Sequence, residues 1–127
     1  MAVEEPGDST TEHIIETIQN LNKDKSVNGI MLHVPLPKGI DTERVIESID
    51  PAKDVDGLTS TNAGSLIADA DESKAFSACT AMSIITIIES LPGMNLEGKK
   101  VALINRTKTI GKPLIQLLIN RKFFLLI

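Results

Sequence analysis

The sequence is poor in aromatic residues and contains one cysteine. Its 127 residues include three phenylalanines but no tyrosine and no tryptophan. This composition excludes chemistry that needs a tyrosine within the chain, and it excludes nucleic-acid platforms built from stacked aromatic rings. The lone Cys79 excludes an intramolecular disulfide and a cysteine-cluster metal site, and it fits a reducing compartment.

Long apolar runs and an excess of positive charge are also missing. No run reaches the roughly 18 apolar residues that a membrane span needs. The 13 basic residues are outnumbered by 17 acidic ones, so the chain carries no basic footprint for a nucleic acid. Residues 1–10 are acidic where a leader peptide would be basic. We therefore expect a soluble, cytoplasmic protein without nucleic-acid or membrane partners. A mitochondrial location stays open because we interpret the N-terminus as truncated.

The N-terminal half predicts two helices. With 42% hydrophobic and 24% charged residues, the chain has the composition of a folded globular protein. Ser9 and Glu12 form a capping-box pattern before a helix over about residues 10–22. Asp41 is placed to cap a short second helix, which ends before Pro51.

The C-terminal half predicts two more helices after a long irregular stretch. Residues 52–78 are rich in Asp, Ser, Thr, Asn and Gly, which is typical of a functional loop or a linker. Thr80 is placed to cap a helix with a broad apolar face, and Gly111 with Pro113 opens another.

Two short apolar runs predict buried parallel strands. They lie at residues 29–34 and 101–104 and alternate with the helices in the order typical of an α/β fold. Two such strands supply too few neighbours for a complete sheet. Residues 123–127 end the chain on five apolar side chains. We interpret this ending as a truncated or abnormal terminus.

The segment PAKDVDG at residues 51–57 is the first candidate site. In an extended segment Asp54 and Asp56 point to one side, and Gly57 lets the backbone turn or approach a ligand closely. A carboxylate there could accept paired hydrogen bonds from a planar amino-heterocycle such as a pterin. A solvated acidic turn explains the same pattern and is the more common case.

His33 and the residues after Leu103 provide two further candidates. His33 lies at a strand end before a proline-rich loop, where it could act as an acid or base; a histidine bonded to a backbone carbonyl is the common alternative. The strand-to-helix loop at residues 105–113 offers N–H groups at a helix start and the guanidinium of Arg106, which suit a phosphate. An ordinary turn with exposed cations is the alternative. We expect Cys79 to be a small buried hydrophobic residue, and no spacing in the chain indicates a metal site.

Together these blocks resemble the methylenetetrahydrofolate dehydrogenase/methenyltetrahydrofolate cyclohydrolase family. The resemblance runs from about Thr11 to Arg121. It rests on ordered blocks at family-like spacing: GIMLHVPLP at 29–37, PAKDVDGL at 51–58, NAG at 62–64, CT at 79–80, NRT at 105–107 and IGKP at 110–113.

The resemblance implies a fold and an activity. It implies a folate-binding catalytic α/β domain followed by a Rossmann-type NADP-binding domain, of which this chain holds a part of each. The expected divisions are residues 1–78 for the catalytic part, 79–93 for a connecting helix and 94–127 for the start of the NADP-binding part. The implied chemistry is oxidation of 5,10-methylenetetrahydrofolate with NADP, then hydrolysis of the methenyl product to 10-formyltetrahydrofolate. The family also implies a homodimer.

The resemblance assigns roles to nine residues. Asp56 matches the acidic residue that grips the pterin, and Asp56 and His33 are the candidate catalytic residues. The folate pocket is implied to be lined by Leu32, His33, Val34 and Pro35. The NADP contacts are implied to come from Asn105, Arg106 and Thr107, with Thr80 near the nicotinamide.

The sequence also departs from the family pattern. His33 replaces a glutamine, which exchanges a neutral amide for a titrating ring. Ala78 and Ala81 replace prolines, and Asn105 replaces a glycine. The family's catalytic Tyr-x-x-x-Lys pair lies upstream of the matched region, and this chain contains no tyrosine. A catalytically inactive remnant that binds folate or a partner is therefore the alternative to an active enzyme.

Overall fold

The computed structural model describes residues 2–68, 78–95 and 97–121, and the backbone of 124–126. Five helices and two strands lie within them: α1 Thr11–Lys23, α2 Thr42–Glu47, α3 Ser60–Ile67, α4 Cys79–Glu89, β1 Lys100–Ala102, α5 Gly111–Asn120 and β2 Phe124–Leu126. The four predicted helices are confirmed. Helix α3 lies inside the stretch predicted to be irregular, so that prediction is wrong for eight of its residues.

Helix α1 begins one residue later than the capping box predicts. The hydroxyl of Thr10 accepts the backbone N–H of His13 at 3.2 Å, so Thr10 is the N-cap. Ser9 instead donates to a carboxylate oxygen of Glu5 at 3.4 Å. Glu12 forms an ion pair with Arg44 at 3.0 Å. The cap is therefore displaced by one residue, from the predicted Ser9 to Thr10.

The first hydrophobic core lies between α1, α2 and the segment around residue 30. Asp41 caps α2 as predicted, accepting the N–H of Arg44 at 3.1 Å. The ends of the two helices are joined by the side chain of Asn22, which donates to the carbonyl of Ser48 at 2.8 Å and accepts from Asp50 N–H at 3.0 Å. The buried apolar side chains of this core are Ile14, Ile18, Ile30, Val45 and Ile49.

The strand predicted at residues 29–34 is reduced to one parallel bridge, between Ile30 and Asp54. Ile30 N–H donates to the carbonyl of Lys53 at 2.6 Å, and Val55 N–H donates back to Ile30 at 3.4 Å. The chain then turns at residues 55–57, so the described part of the molecule offers residues 31–34 no neighbour to pair with. Gly29 allows the close approach, since a Cβ there would lie 2.4 Å from Cγ1 of Val55. The apolar run correctly indicated burial at Ile30 but not pairing along its length.

The second hydrophobic core joins α3, α4 and α5. Its buried members are Leu66, Ala78, Ala81, Ile85, Leu114, Leu117 and Leu118. The prediction that Thr80 caps α4 is wrong, because Ala78 occupies the cap position and Thr80 lies in the first turn. No side chain caps this helix. Since Ala78 and Ala81 are almost completely buried, packing against α5 fixes where α4 begins.

The last described elements form a β-α-β unit. Strand β1, predicted over residues 101–104, pairs in parallel with β2, with Lys100 opposite Phe124 and Ala102 opposite Leu126. The apolar ending that we interpreted as an abnormal terminus thus supplies a strand at residues 124–126. Parallel strands joined by a helix confirm the α/β fold class, with few strand residues. None of the helices described is long and apolar enough to cross a membrane.

Candidate functional site

The PAKDVDG segment is built around a buried carboxylate, Asp54. Its Oδ2 atom accepts the backbone N–H of Thr59 at 2.8 Å, the hydroxyl of Thr59 at 2.8 Å and the amide of Asn62 at 2.9 Å. Asp54 and Thr59 are each 1% exposed and Asn62 is 4% exposed. A buried charge is stable only when such donors replace its hydration. Asp54 is therefore a fixed structural anion, and the solvated-turn interpretation is wrong for it.

The protonation of Asp54 follows from the same contacts. Burial raises the pKa of this carboxyl, but the hydrogen bonds donated by Thr59, Asn62 and Leu58 together outweigh it. The pKa of Asp54 is consequently held below its ordinary value. At neutral pH the site contains an ionised, fully engaged carboxylate.

Asp56 lies in the turn that this carboxylate closes. The carbonyl of Asp54 accepts Gly57 N–H at 3.2 Å, and Gly57 is buried with φ of 63°, a left-handed conformation that favours glycine. Asp56 itself is half-buried. Of the two carboxylates in the motif, Asp54 is committed to the fold, and Asp56 is the one that a ligand can reach.

The parallel bridge links the segment that carries His33 to the segment that carries Asp56. It joins Ile30 to Asp54, three residues before His33 and two residues before Asp56. His33 and Pro35 are exposed beyond the bridge, whereas Leu32 and Val34 are half-buried. Leu32 packs against the first hydrophobic core. The structure thus joins the two candidate segments of the N-terminal half at one contact, the bridge between Ile30 and Asp54.

The start of α4 lies against the same turn. The thiol of Cys79 donates to the carbonyl of Val55 at 3.1 Å, although Cys79 is exposed, so the expectation of a buried residue is wrong. Partial burial, then the neighbouring charge of Asp56, raise the pKa of this thiol. Thr80 follows on the exposed first turn of α4. Asp56 and the start of α4 are therefore neighbours, a juxtaposition that the sequence alone did not predict.

The loop at residues 105–111 is closed by its own side chains. The side-chain oxygen of Asn105 accepts both the N–H and the hydroxyl of Thr107 at 2.9 Å. The Thr107 hydroxyl in turn accepts N–H groups from Ile110 at 3.2 Å and Gly111 at 3.4 Å. Gly111 packs so closely on this turn that a Cβ would lie 2.4 Å from the carbonyl oxygen of Asn105.

These bonds change how the loop could hold a phosphate. Lys112 N–H donates to the Thr107 carbonyl at 3.0 Å and Pro113 has no N–H, so the first turn of α5 is already occupied by protein acceptors. The expected anion site at the helix start is therefore closed by Thr107 in this structure. The exposed guanidinium of Arg106 still fits a phosphate as a side-chain donor. Lys108 forms an ion pair with Glu43, which ties this loop to α2.

A cavity of about 440 Å³ lies between α2, α3 and α5. Its wall is mostly apolar, with Ile46, Leu58 and Leu66 among its lining residues and Lys108 and Lys112 also contributing. None of the nine residues that the sequence predicted for the site lines it. Among the predicted site residues, Asp56 is the one that the structure places beside the start of α4.

Lys53 lies inside the candidate segment at residues 51–57, but its contacts give it a structural role. Its ammonium group donates to the carbonyls of Leu21 at 3.0 Å, Asn22 at 2.7 Å and Asp24 at 2.8 Å. It therefore neutralises the carbonyl end of α1 and fixes the segment that leads into Asp54. No sequence signal marked this contact, because its partners lie 29 to 32 residues away.

The sequence is similar to tetrahydrofolate dehydrogenase/cyclohydrolase proteins. The family model for the catalytic domain of tetrahydrofolate dehydrogenase/cyclohydrolase matches residues 1–56. A curated relative, the bifunctional protein FolD of Methanosphaerula palustris, is 45% identical over 115 residues, covering 91% of this chain and 40% of the relative. The chain thus spans about two fifths of the length of that relative.

Solved structures show the same likeness. An N5,N10-methylenetetrahydrofolate dehydrogenase-cyclohydrolase from Trypanosoma brucei, complexed with NADP and an inhibitor, superposes with a TM-score of 0.90 at 29% identity. The match covers 99% of this chain and 42% of that one. The NAD-dependent 5,10-methylenetetrahydrofolate dehydrogenase of Saccharomyces cerevisiae superposes with a TM-score of 0.75 at 30% identity, covering 92% of this chain and 41% of that one.

Proposed function

Because this chain belongs to the tetrahydrofolate dehydrogenase/cyclohydrolase family, we propose that Asp56 and the residues around it form the pterin-binding wall of such an enzyme. We call this surface the Asp56 edge. The activity proposed for the whole protein is oxidation of 5,10-methylenetetrahydrofolate with NADP, followed by hydrolysis of the methenyl product to 10-formyltetrahydrofolate. The chain spans about two fifths of its relatives, so it supplies part of that machinery.

The parallel contact between Ile30 and Asp54 carries this proposal. It joins the segment that leads to His33, which is exposed, to the segment that leads to Asp56, which is half-buried. A half-buried carboxylate can accept two parallel hydrogen bonds from the amino-heterocycle of a pterin, in the way that carboxylates bind guanidinium groups. Leu32, Val34 and Pro35 would supply the apolar side of the pocket, and the ring of His33 could donate to the ligand or transfer a proton.

The cofactor side of the proposal depends on Arg106. NADP, when bound, supplies the hydride acceptor of the reaction. Arg106 is exposed at the loop before α5 and fits the 2′-phosphate that distinguishes NADP from NAD. Asn105 and Thr107 hold this loop in shape, and Thr80 belongs to the helix start beside Asp56. The solved relatives include an NADP complex and an NAD-dependent enzyme, so NADP is our choice on Arg106 alone.

A second candidate is a folate-binding chain without turnover. The closed loop before α5 favours it, because Thr107 already accepts the N–H groups at the helix start that a cofactor phosphate would need. In that case the Asp56 edge still binds a reduced folate, while hydride transfer and hydrolysis are lost. The domain division at residues 78 and 94, a homodimer and a cytoplasmic location also belong to the proposal.

Thermal unfolding in the presence of ligands tests both candidates. We expect 5-formyltetrahydrofolate to raise the unfolding temperature of the chain, and we expect Asp56→Ala to abolish the rise. An Asp24→Ala variant is the control, since Asp24 is an exposed acid at the end of α1. No rise in the unmodified chain would contradict the proposal. Reduction of NADP to NADPH by 5,10-methylenetetrahydrofolate, if it is lost in Asp56→Ala, would favour the active enzyme over the binding-only chain.

A further inference from the structure

We infer that Asp54 is a positioning residue for Asp56, acting with Thr59 and Asn62 as a clamp that fixes the ligand-binding carboxylate. The inference rests on the proposed function, since it assigns the clamp to the same pterin-binding edge. It adds residues that the motif does not single out, because Thr59 and Asn62 lie beyond the PAKDVDG segment.

The clamp closes the turn at both ends. Asp54 begins the turn and Thr59 ends it, and the Oδ2 atom of Asp54 accepts the N–H and hydroxyl of Thr59, both at 2.8 Å. Inside the ring, Gly57 N–H donates to the Asp54 carbonyl at 3.2 Å. Asp56 is therefore carried on a short loop whose first and last residues are joined by two buried hydrogen bonds to a carboxylate.

The clamp is also fixed to the rest of the fold. The Asn62 amide donates to Oδ2 of Asp54 at 2.9 Å and to the carbonyl of Pro51 at 3.0 Å, so the first turn of α3 holds the loop from outside. The bridge to Ile30 fixes it on the opposite side. The donors of Thr59 and Asn62 thus meet at Asp54, while Asp56 lies two residues further along the chain and is half-buried. A side chain held in this way loses little freedom when it binds a ligand.

The thiol of Cys79 provides a built-in reporter of where Asp56 lies. The charge of Asp56 helps to raise the pKa of this thiol, so displacement of Asp56 must lower it. Asp54 contributes a smaller effect of the same sign and remains charged in variants that alter Thr59. Cys79 is exposed, so the pH dependence of its alkylation by iodoacetamide reports this pKa without any folate.

The test compares Thr59→Val with a control at the same end of α3. Thr59→Val removes the hydroxyl, which donates to Asp54 and accepts the Asn62 N–H at 3.4 Å as the N-cap of α3, but keeps the backbone N–H of residue 59. Glu47→Ala is the matched control, because Glu47 accepts the N–H and hydroxyl of Ser60 at 2.9 and 2.7 Å and so stabilises the same helix start without touching Asp54. Thr59→Ser restores the donor and is the rescue variant. Circular dichroism is used to check that each variant is folded.

We expect Thr59→Val to weaken the binding of 5-formyltetrahydrofolate by about tenfold, as loss of one hydrogen bond to a charged group allows. We also expect it to lower the pKa of Cys79, as Asp56→Asn does. Thr59→Ser and Glu47→Ala should leave both quantities unchanged. An unaltered Cys79 pKa in Thr59→Val, beside a lowered one in Asp56→Asn, would overturn the inference. An equal change in Glu47→Ala would overturn it as well, since it would show a general loosening of α3.

The two readouts separate this inference from the proposed function. If the unmodified chain binds no folate while the Cys79 pKa follows the clamp as expected, the proposed function fails and the positioning of Asp56 by Asp54 stands. If folate binds and depends on Asp56, but Thr59→Val alters neither readout, the positioning fails and the proposed function stands.

Discussion

The loop that carries Asp56 and the loop before α5 are held together in opposite ways. The first is closed by a buried carboxylate whose donors reach it from the start of α3, and Asp54 at its centre is 1% exposed. The second is closed by Asn105 and Thr107, whose bonds span two to four residues, and its residues 104–109 are exposed. Both segments were predicted to bind a ligand from their residue types.

The difference shows what burial does to a polar motif. In the first loop a buried charge forces the surrounding chain to supply donors, so one acid becomes structural and leaves the other available. In the second loop, local turns satisfy the backbone, and only side chains such as Arg106 remain for a ligand. We therefore expect perturbation of the first loop to unfold the N-terminal core, and perturbation of the second to remain local.

Removal of the buried carboxylate should have the largest effect. Asp54→Ala leaves the N–H and hydroxyl of Thr59 and the amide of Asn62 without their acceptor in a buried site. We expect a loss of about 3–4 kcal/mol in the free energy of unfolding, measured by urea denaturation. The control Asp24→Ala removes an exposed acid that bonds only to its neighbour Ser26 among the contacts described, and it should change stability little. Equal losses in the two variants would contradict the contrast between buried and exposed acids.

Substitution of two glycines tests the two loops, because the added Cβ atom would meet a side chain in one case and the backbone in the other. Gly29→Ala places a Cβ 2.4 Å from the Cγ1 atom of Val55, and Gly111→Ala places one 2.4 Å from the backbone carbonyl oxygen of Asn105. Each should cost about 1–3 kcal/mol in unfolding free energy, the usual range for overpacking. The double variant Gly29→Ala with Val55→Ala should recover part of the loss, because the obstructing atom is a side chain.

No side-chain truncation removes the obstruction at Gly111, since the nearest atoms belong to the backbone of Asn105. We expect Gly111→Ala combined with Asn105→Ala to remain destabilised. Recovery of full stability there would show that the second loop shifts as a whole, and the account of a tightly closed turn would be wrong.

Acid should weaken the first loop specifically. Because the pKa of Asp54 is lower in the folded chain than its ordinary value of 3.8, its ionised form stabilises the fold above that value. This contribution is lost as the pH falls through the lowered folded pKa. The free energy of unfolding, measured by urea denaturation at a pH of about 5 and of about 3, should therefore fall less in Asp54→Asn than in the unmodified chain. An identical loss in both proteins would mean that other carboxyls account for it.

The ion pair between Lys108 and Glu43 should have the smallest effect. Their side chains are 72% and 73% exposed, and exposed pairs contribute little because water and salt screen them. A double-mutant cycle with Lys108→Ala and Glu43→Ala should give a coupling of about 0.5 kcal/mol or less. A coupling several times larger would mean that the second loop is held to α2 more firmly than its exposure indicates.

Local patterns predicted much of the fold, and long-range contacts account for what they missed. Asp41 capped α2 as its spacing indicated, and the helix opened by Gly111 and Pro113 lies where it was expected. The start of α4 was missed because burial of Ala78 and Ala81, not a capping side chain, determines it. Helix α3 was missed because Ser60, Thr61 and Asn62 resemble a loop until Thr59 and Glu47 are seen to bond its first turn.

In the candidate site too, local patterns predicted some features, and long-range contacts account for those that were missed. The residue types indicated that Asp54 and Asp56 were important, but which of them is buried depends on donors up to eight residues away. The proximity of Cys79 to Asp56 spans more than twenty residues and leaves no trace in local spacing. The family resemblance supplied the roles of His33, Asp56 and Arg106, and these roles remain predictions.

Direct titration of a reduced folate into the chain tests the central claim most simply. Isothermal titration calorimetry measures the binding of 5-formyltetrahydrofolate to the unmodified chain and to Asp56→Asn. The two proteins differ only in that an amide NH2 group replaces one oxygen of the Asp56 carboxylate. We predict saturable binding in the first and a loss of at least about tenfold in the second, since a charge-assisted pair is replaced by a neutral amide. Equal binding by both, or binding by neither, would contradict the assignment of Asp56 as the pterin-binding group.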